Sequence, residues 1–158
     1  MIILKIKDFG EIKINLRPDC APITCAHIEK LVSEGFYDGL IFHRVIPNFM
    51  IQGGDPTGTG YGDPNQEHIK GEFRSNFVNN PLKHKRGTLS MARSQNKNSA
   101  SSQFFICQVD CSYLDGEYAT FGEVVEGIEV VDKIAATPTD GRDRPRTPVV
   151  IDKMYIAE

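Results

Sequence analysis

The residues with the most chemistry to offer lie in one stretch, Phe42-His43-Arg44-Val45-Ile46-Pro47-Asn48-Phe49-Met50-Ile51-Gln52-Gly53-Gly54-Asp55, where an arginine and a glutamine are set among large apolar side chains. An arginine in such company either carries its charge to solvent along its aliphatic stem or aims it into a groove. In a groove it becomes a fixed donor beside an apolar wall. A second stretch, Ser101-Ser102-Gln103-Phe104-Phe105-Ile106, again joins an amide to aromatics, and Leu114-Asp115-Gly116 is followed by Phe121-Gly122. Taken one at a time, each of these reads equally well as core.

Other chemistries lack their signatures. The run Gly53-Gly54-Asp55-Pro56-Thr57-Gly58-Thr59-Gly60-Tyr61-Gly62 has glycines whose amides could approach phosphate, but it contains neither GxxxxGK[ST] nor GxGxxG and precedes no helix pattern. It reads as a turn-rich loop. GxSxG and HExxH are missing too, so nucleophile-elbow and zincin chemistry have no anchor. His27, His43, His68 and His84 are scattered, and no metal site is assigned. Cys20 with Cys25, and Cys107 with Cys111, lack the tight CxxC knuckle and are expected to be free thiols in a reducing compartment. Lys83-His84-Lys85-Arg86 reads as a solvated turn, and Arg142-Asp143-Arg144-Pro145-Arg146 as an exposed loop.

Composition narrows the field further. With 18 Lys and Arg against 21 Asp and Glu the formal charge is -3, which leaves no cation excess for a phosphate backbone, so nucleic acid is not an expected partner. The longest apolar stretches, Ile2–Leu4 and Val149–Ile151, are far too short to cross a bilayer. Lys5, Lys7 and Asp8 follow the first of them at once, leaving no signal-peptide pattern, so a cytoplasmic location is expected. The 158 residues, 40% hydrophobic and 25% charged, predict one globular domain spanning 1–158, and a monomer is expected.

Elements must position these residues, and their patterns are mostly of period two. Ile2–Ile6 and Glu11–Leu16 read as strands joined across Asp8-Phe9-Gly10 into a hairpin. Further strands are predicted at Ile41–Ile46, Phe49–Gln52, Gly87–Ala92, Gln103–Val109, Ala119–Val124 and Val149–Ile156. Three- and four-residue steps predict a helix from Ile23 to Glu34, stopped at Gly35. A second, carrying Val130, Val131, Ile134 and Ala135, lies between Gly127 and Pro138. Asp55–Asn80 has little periodicity and reads as a long surface segment. Many strands and two helices suggest a mainly β fold, an antiparallel barrel or sandwich, because closure removes aggregation-prone edges.

Taken together, the blocks resemble the cyclophilin family of peptidyl-prolyl cis-trans isomerases. The resemblance covers nearly the whole chain: the hairpin, the helix with Thr24 and Cys25, Gly35-Phe36-Tyr37-Asp38-Gly39, the run from Phe42 to Gly60, Ser90-Met91-Ala92-Arg93, Ser102-Gln103-Phe104-Phe105-Ile106 and the stretch from Leu114 to Gly122. The segment from Met91 to Gln103 is more similar to bacterial single-domain members than to the animal cytosolic type. The family's fold implies a closed eight-stranded antiparallel β-barrel capped by two α-helices, in agreement with the elements counted above.

The resemblance also implies an activity, rotation about X-Pro bonds in proline-containing peptides and in unfolded or flexible protein segments. Rotation must cross an amide barrier of ~18 to 20 kcal/mol without breaking a bond, so it needs no nucleophile, metal or cofactor. It implies Arg44 as the catalytic donor, with Phe49 and Gln52 completing the catalytic set. Phe49, Met50, Phe105 and Leu114 would wall the proline pocket, while Ala92, Arg93 and Gln103 would line the neighbouring groove. Tyr113 and Tyr118 would complete the substrate-binding surface where the animal pattern commonly has tryptophan and histidine, and Tyr113 implies weak binding of the drug cyclosporin. Arg93 is bulkier than the asparagine often found at its position. The alternatives are a proline-peptide binding module with incidental turnover and, disfavoured by the acidic balance, a small β-barrel nucleic-acid binder.

Overall fold

Alternation produces the opening hairpin as predicted: β1 (Ile2–Ile6) pairs antiparallel with β2 (Gly10–Leu16), setting Ile2 opposite Ile14 and Leu4 opposite Ile12. All four are buried. In the computed structural model, which describes residues 1–157 and leaves Glu158 of the expected domain outside the described residues, six more strands follow. They are β3 (Arg44–Ile46), β4 (Met50–Gly53), β5 (Thr88–Met91), β6 (Phe104–Cys107), β7 (Thr120–Glu126) and β8 (Ile151–Ile156). All eight form one sheet in the order β3-β4-β6-β5-β7-β2-β1-β8, each neighbour antiparallel.

The sheet curls but does not close, which corrects the expected barrel. Its two edges meet only where the segment before β3 passes the start of β8: Phe42 N donates to Val149 O at 3.0 Å and Ile151 N to Leu40 O at 2.8 Å. Past that point the Val45 amide donates instead to Asp143 O at 2.8 Å. β3 is three residues long, and with its outer amide taken by this turn it has no ladder to offer β8.

The first helix, α1 (Pro22–Ser33), starts one residue earlier than predicted because proline's fixed φ and missing N–H suit a first turn. Ala21 before it has no side chain to cap the free amides. The cap comes from Glu72, whose carboxylate accepts from Ile23 N at 3.1 Å, Thr24 N at 2.6 Å and Thr24 Oγ1 at 2.7 Å. A negative charge at this end also complements the helix dipole. Asp55–Asn80 therefore differs from a plain surface segment: it is irregular, yet Asp55, Ile69, Glu72 and Phe73 are buried. The second helix, α2 (Ile128–Ala135), buries Val130, Val131, Ile134 and Ala135 as its spacing predicts. No helix among the described residues is long and apolar enough to cross a membrane.

Strand alternation divides the apolar residues between two clusters. Val45, Ile51, Phe104 and Ile106 join the main core, where Phe104 meets Tyr37 and Phe42 edge to face. Met50, Phe105 and Cys107 face the other way and form a smaller cluster with Cys111, against which Ile46, Phe49, Leu114 and Tyr118 pack. Successive strand residues point to opposite faces, so one set of strands builds the core on one side and a second apolar surface on the other.

Candidate active site

Register brings the polar residues to that second surface. Arg44 of β3 is opposite Gln52 of β4, and Gln52 is opposite Phe105 of β6, which lies opposite Ser90 of β5. A cavity of about 160 Å³ opens there, lined by Arg44, Phe49, Met50, Gln52, Ala92, Arg93, Phe105, Leu114 and Tyr118. Arg44 is exposed at its mouth, and Nη1 donates to Gln52 Oε1 at 3.4 Å. Gln103 lies just outside, accepting from Gln52 Nε2 at 3.1 Å, and lines an adjoining groove of about 430 Å³ that shares Gln52, Ala92 and Arg93 with the cavity. Tyr113 lines neither. It stands on the rim beside Phe49, with ring centroids 6.1 Å apart.

Arg93 spends its donors on its own chain. Its guanidinium lies between the Phe73 and Tyr118 rings, 4.9 and 4.8 Å from their centroids, and donates to Glu117 O at 2.7 and 3.1 Å and to Ser94 O at 3.0 Å. A cation held between two rings is a rigid partition, so Arg93 acts as a wall between cavity and groove.

The floor of the cavity rests on a residue the sequence reading missed. Lys83-His84-Lys85-Arg86 is not uniformly solvated: His84 is buried and stacks on Phe105 at 5.9 Å between centroids. Its Nδ1 meets Asp115 Oδ1 at 2.9 Å, and its Nε2 meets Ser90 Oγ at 2.9 Å. A carboxylate can only accept, so Nδ1 carries the proton and Nε2 accepts from the Ser90 hydroxyl. Burial pushes the His84 pKa below the ordinary histidine value, outweighing the opposing pull of Asp115. For Asp115, burial pushes the carboxyl up, but hydrogen bonds from the His84 amide and ring together hold it below its ordinary value.

A second omission is Asp55, buried at the start of the glycine-rich loop. Its Oδ1 accepts from Thr57 N at 2.9 Å and Thr57 Oγ1 at 2.8 Å, and its Oδ2 from Gly60 N at 2.7 Å and Gly62 N at 3.0 Å. The loop's amides thus do converge on an anion, and the anion is the chain's own carboxylate. Burial pushes the Asp55 pKa up, yet these hydrogen bonds prevail and hold it below the ordinary value. Gly54 just ahead has φ +92°, and a Cβ there would lie 2.8 Å from Ser102 O, so the chain needs glycine to enter the loop. An aspartate followed by Thr and Gly at turn spacing was the available signal for this arrangement.

The thiols lie inside the fold. All four cysteines are buried free thiols, and burial pushes Cys25 up to about 12 and raises Cys107 further. Among the described residues no three His, Cys, Asp or Glu side chains gather as a metal site. What the cavity offers is a guanidinium at its mouth, bonded to Gln52, beside an apolar pocket.

Comparison with known proteins identifies the family. The family model for cyclophilin type peptidyl-prolyl cis-trans isomerases matches residues 1–156. A peptidyl-prolyl cis-trans isomerase of Schizosaccharomyces pombe is 46% identical over 145 residues, covering 91% of each chain. One from Acinetobacter baylyi is 43% identical over 158 residues, covering 94% of this chain and 81% of its own. The chain spans only 25% of a longer Gibberella zeae relative, a peptidyl-prolyl cis-trans isomerase-like 2 protein 42% identical over 150 residues. The crystal structure of a Cryptosporidium parvum cyclophilin type isomerase, determined in the presence of the dipeptide Ala-Pro, superposes with a TM-score of 0.89 at 33% identity, covering 99% of this chain and 98% of that one. With the family model matched over residues 1–156 and the fold shared, this chain belongs to the cyclophilin-type peptidyl-prolyl cis-trans isomerases.

Proposed function

We propose that the chain assists protein folding by isomerising X-Pro bonds in flexible segments, with Arg44 as the group that lowers the barrier. The planar amide shares its nitrogen lone pair with the carbonyl, and twisting returns that pair to the prolyl nitrogen. A donor fixed beside the nitrogen then binds the twisted state better than either planar state, which is the condition for faster rotation. The observation that carries this reading is the juxtaposition of Arg44 with an apolar cavity walled by Phe49, Met50, Phe105 and Leu114. Such walls suit a proline ring and exclude water, and the lower local dielectric strengthens the arginine's hydrogen bond. Gln52 holds the guanidinium from the neighbouring strand, so little reorganisation is needed at the moment of twisting. A reducing, cytoplasmic setting fits four buried thiols.

NMR exchange on a short X-Pro peptide tests the proposal. The wild type should accelerate exchange, and Arg44→Ala should fold normally yet lose about 10²- to 10³-fold in rate. Peptide binding without faster exchange would make the chain a binding module, and an Arg44→Ala variant as fast as wild type would remove the arginine from the mechanism.

A further inference from the structure

We infer that Asp55 is a positioning residue for Arg44, acting through a relay of hydrogen bonds whose far end it anchors. The inference rests on the proposed role of Arg44. Asp55 is 1% exposed, and its two oxygens hold the amides of Thr57, Gly60 and Gly62. With the Gly60 amide held, its carbonyl faces the groove and accepts from Gln103 Nε2 at 3.2 Å. Gln103 Oε1 then accepts from Gln52 Nε2 at 3.1 Å, and Gln52 Oε1 accepts from Arg44 Nη1 at 3.4 Å.

The relay has one consistent direction because a guanidinium can only donate and a backbone carbonyl can only accept, so its two ends agree on how both glutamines are turned. Gly60 O therefore demands the amino end of Gln103, which leaves an oxygen for the amino end of Gln52 and an oxygen for the guanidinium. If Gly60 O is withdrawn, Gln103 loses the acceptor that pins its amino end, and Gln52 is then braced by nothing firmer than a loose amide. Arg44, bonded to an unbraced Gln52, would no longer be held at the place that the twisted amide requires. The loop is also held from its far side, where Arg144 Nη1 donates to Gly58 O at 2.6 Å. Gly60 packs on buried His43, so Asp55 acts on a braced segment.

A double-mutant cycle read by peptide exchange tests this. Asp55→Asn can still accept at one atom but turns an amino group on the amides of one side. It should lower kcat about tenfold to a hundredfold, the scale for a misplaced catalytic group, with KM within about twofold of wild type. In an Arg44→Ala background the same change should cost less than about twofold, because the group it positions is gone. Equal losses in both backgrounds would make Asp55 a general structural residue, and a wild-type rate in Asp55→Asn would remove it from the mechanism; either result overturns the inference. A full-rate Arg44→Ala single variant would instead show that the Arg44 reading itself had failed. If Asp55→Asn does not fold, Gln103→Met carries the test, since it cuts the relay at its midpoint: a kcat loss seen only when Arg44 is present is the expected result, and a loss independent of Arg44 overturns the proposal.

Discussion

Tyr113 is 69% exposed and stands beside Phe49 with its ring tilted 33° to that of Phe49, whereas Arg44 and Met50 line the cavity itself. A change there should alter what binds along the rim more than what happens at the rotating bond. A phenol carries its donor at the far tip and an indole carries one on its flank, so the two cannot offer the same hydrogen bond from one backbone position. Tyr113→Trp is expected to tighten cyclosporin inhibition by about tenfold, one hydrogen bond's worth, while leaving turnover within about twofold. Titrating both forms against peptide exchange checks this, and equal inhibition constants would place Tyr113 away from the drug. Arg44, Phe49 and Gln52 were legible because they fall in one short run with a distinctive mixture of types. Asp55 and His84 were not, because their roles depend on partners such as Gly60, Phe105 and Asp115 that no local pattern reveals. His84 was further disguised by Lys83 and Lys85, which are exposed on either side of it.

Helix α1 shows how an element can be legible while its support is not. Apolar spacing and Gly35 predict the helix to within one residue at each end, but its cap arrives from Glu72, 48 residues beyond Thr24. Glu72→Ala would leave two backbone amides and the Thr24 hydroxyl without their acceptor at a buried site. Losing a cap and stranding buried donors together should destabilise the fold by about 2 to 3 kcal/mol, and Glu72→Gln, which keeps one acceptor, by about 1. Urea unfolding of the three proteins measures this; a loss below about 0.5 kcal/mol for Glu72→Ala would mean that water satisfies the helix end instead. The open edge of the sheet belongs to the same category. Eight strands could be counted from alternation, but whether they closed depended on the Asp143 carbonyl taking the Val45 amide, a contact between a strand and a distant turn.

Across the whole molecule, two buried histidines set the response to mild acid. At His84 burial outweighs Asp115, and at His43 burial outweighs Asp55 and is reinforced by Arg144 and Arg44, so both folded pKa values lie below 6.5. Below 6.5 the unfolded chain takes up protons that the folded chain refuses, so this stability is fully present above that pH. It is lost as pH falls toward the folded values, by up to about 1.4 kcal/mol per pH unit for each group. Asp55 and Asp115, held below 3.8, add their losses only in stronger acid. Urea midpoints should therefore drop between about pH 7.5 and about pH 5.5, and His84→Asn should shrink the drop; a wild-type midpoint unchanged over that interval would contradict the buried neutral imidazoles. The two-faced sheet has a different kind of consequence, one for how the gene can vary. In β4 and β6 the residues that fill the core alternate singly with those that line the cavity, Ile51 between Met50 and Gln52, Phe105 between Phe104 and Ile106. Inserting or deleting one codon in either strand would send the whole row to the wrong side, exchanging pocket for core. Relatives should therefore differ in these strands by substitution alone and accumulate their length differences in loops such as that after Asp55, where no ladder counts residues.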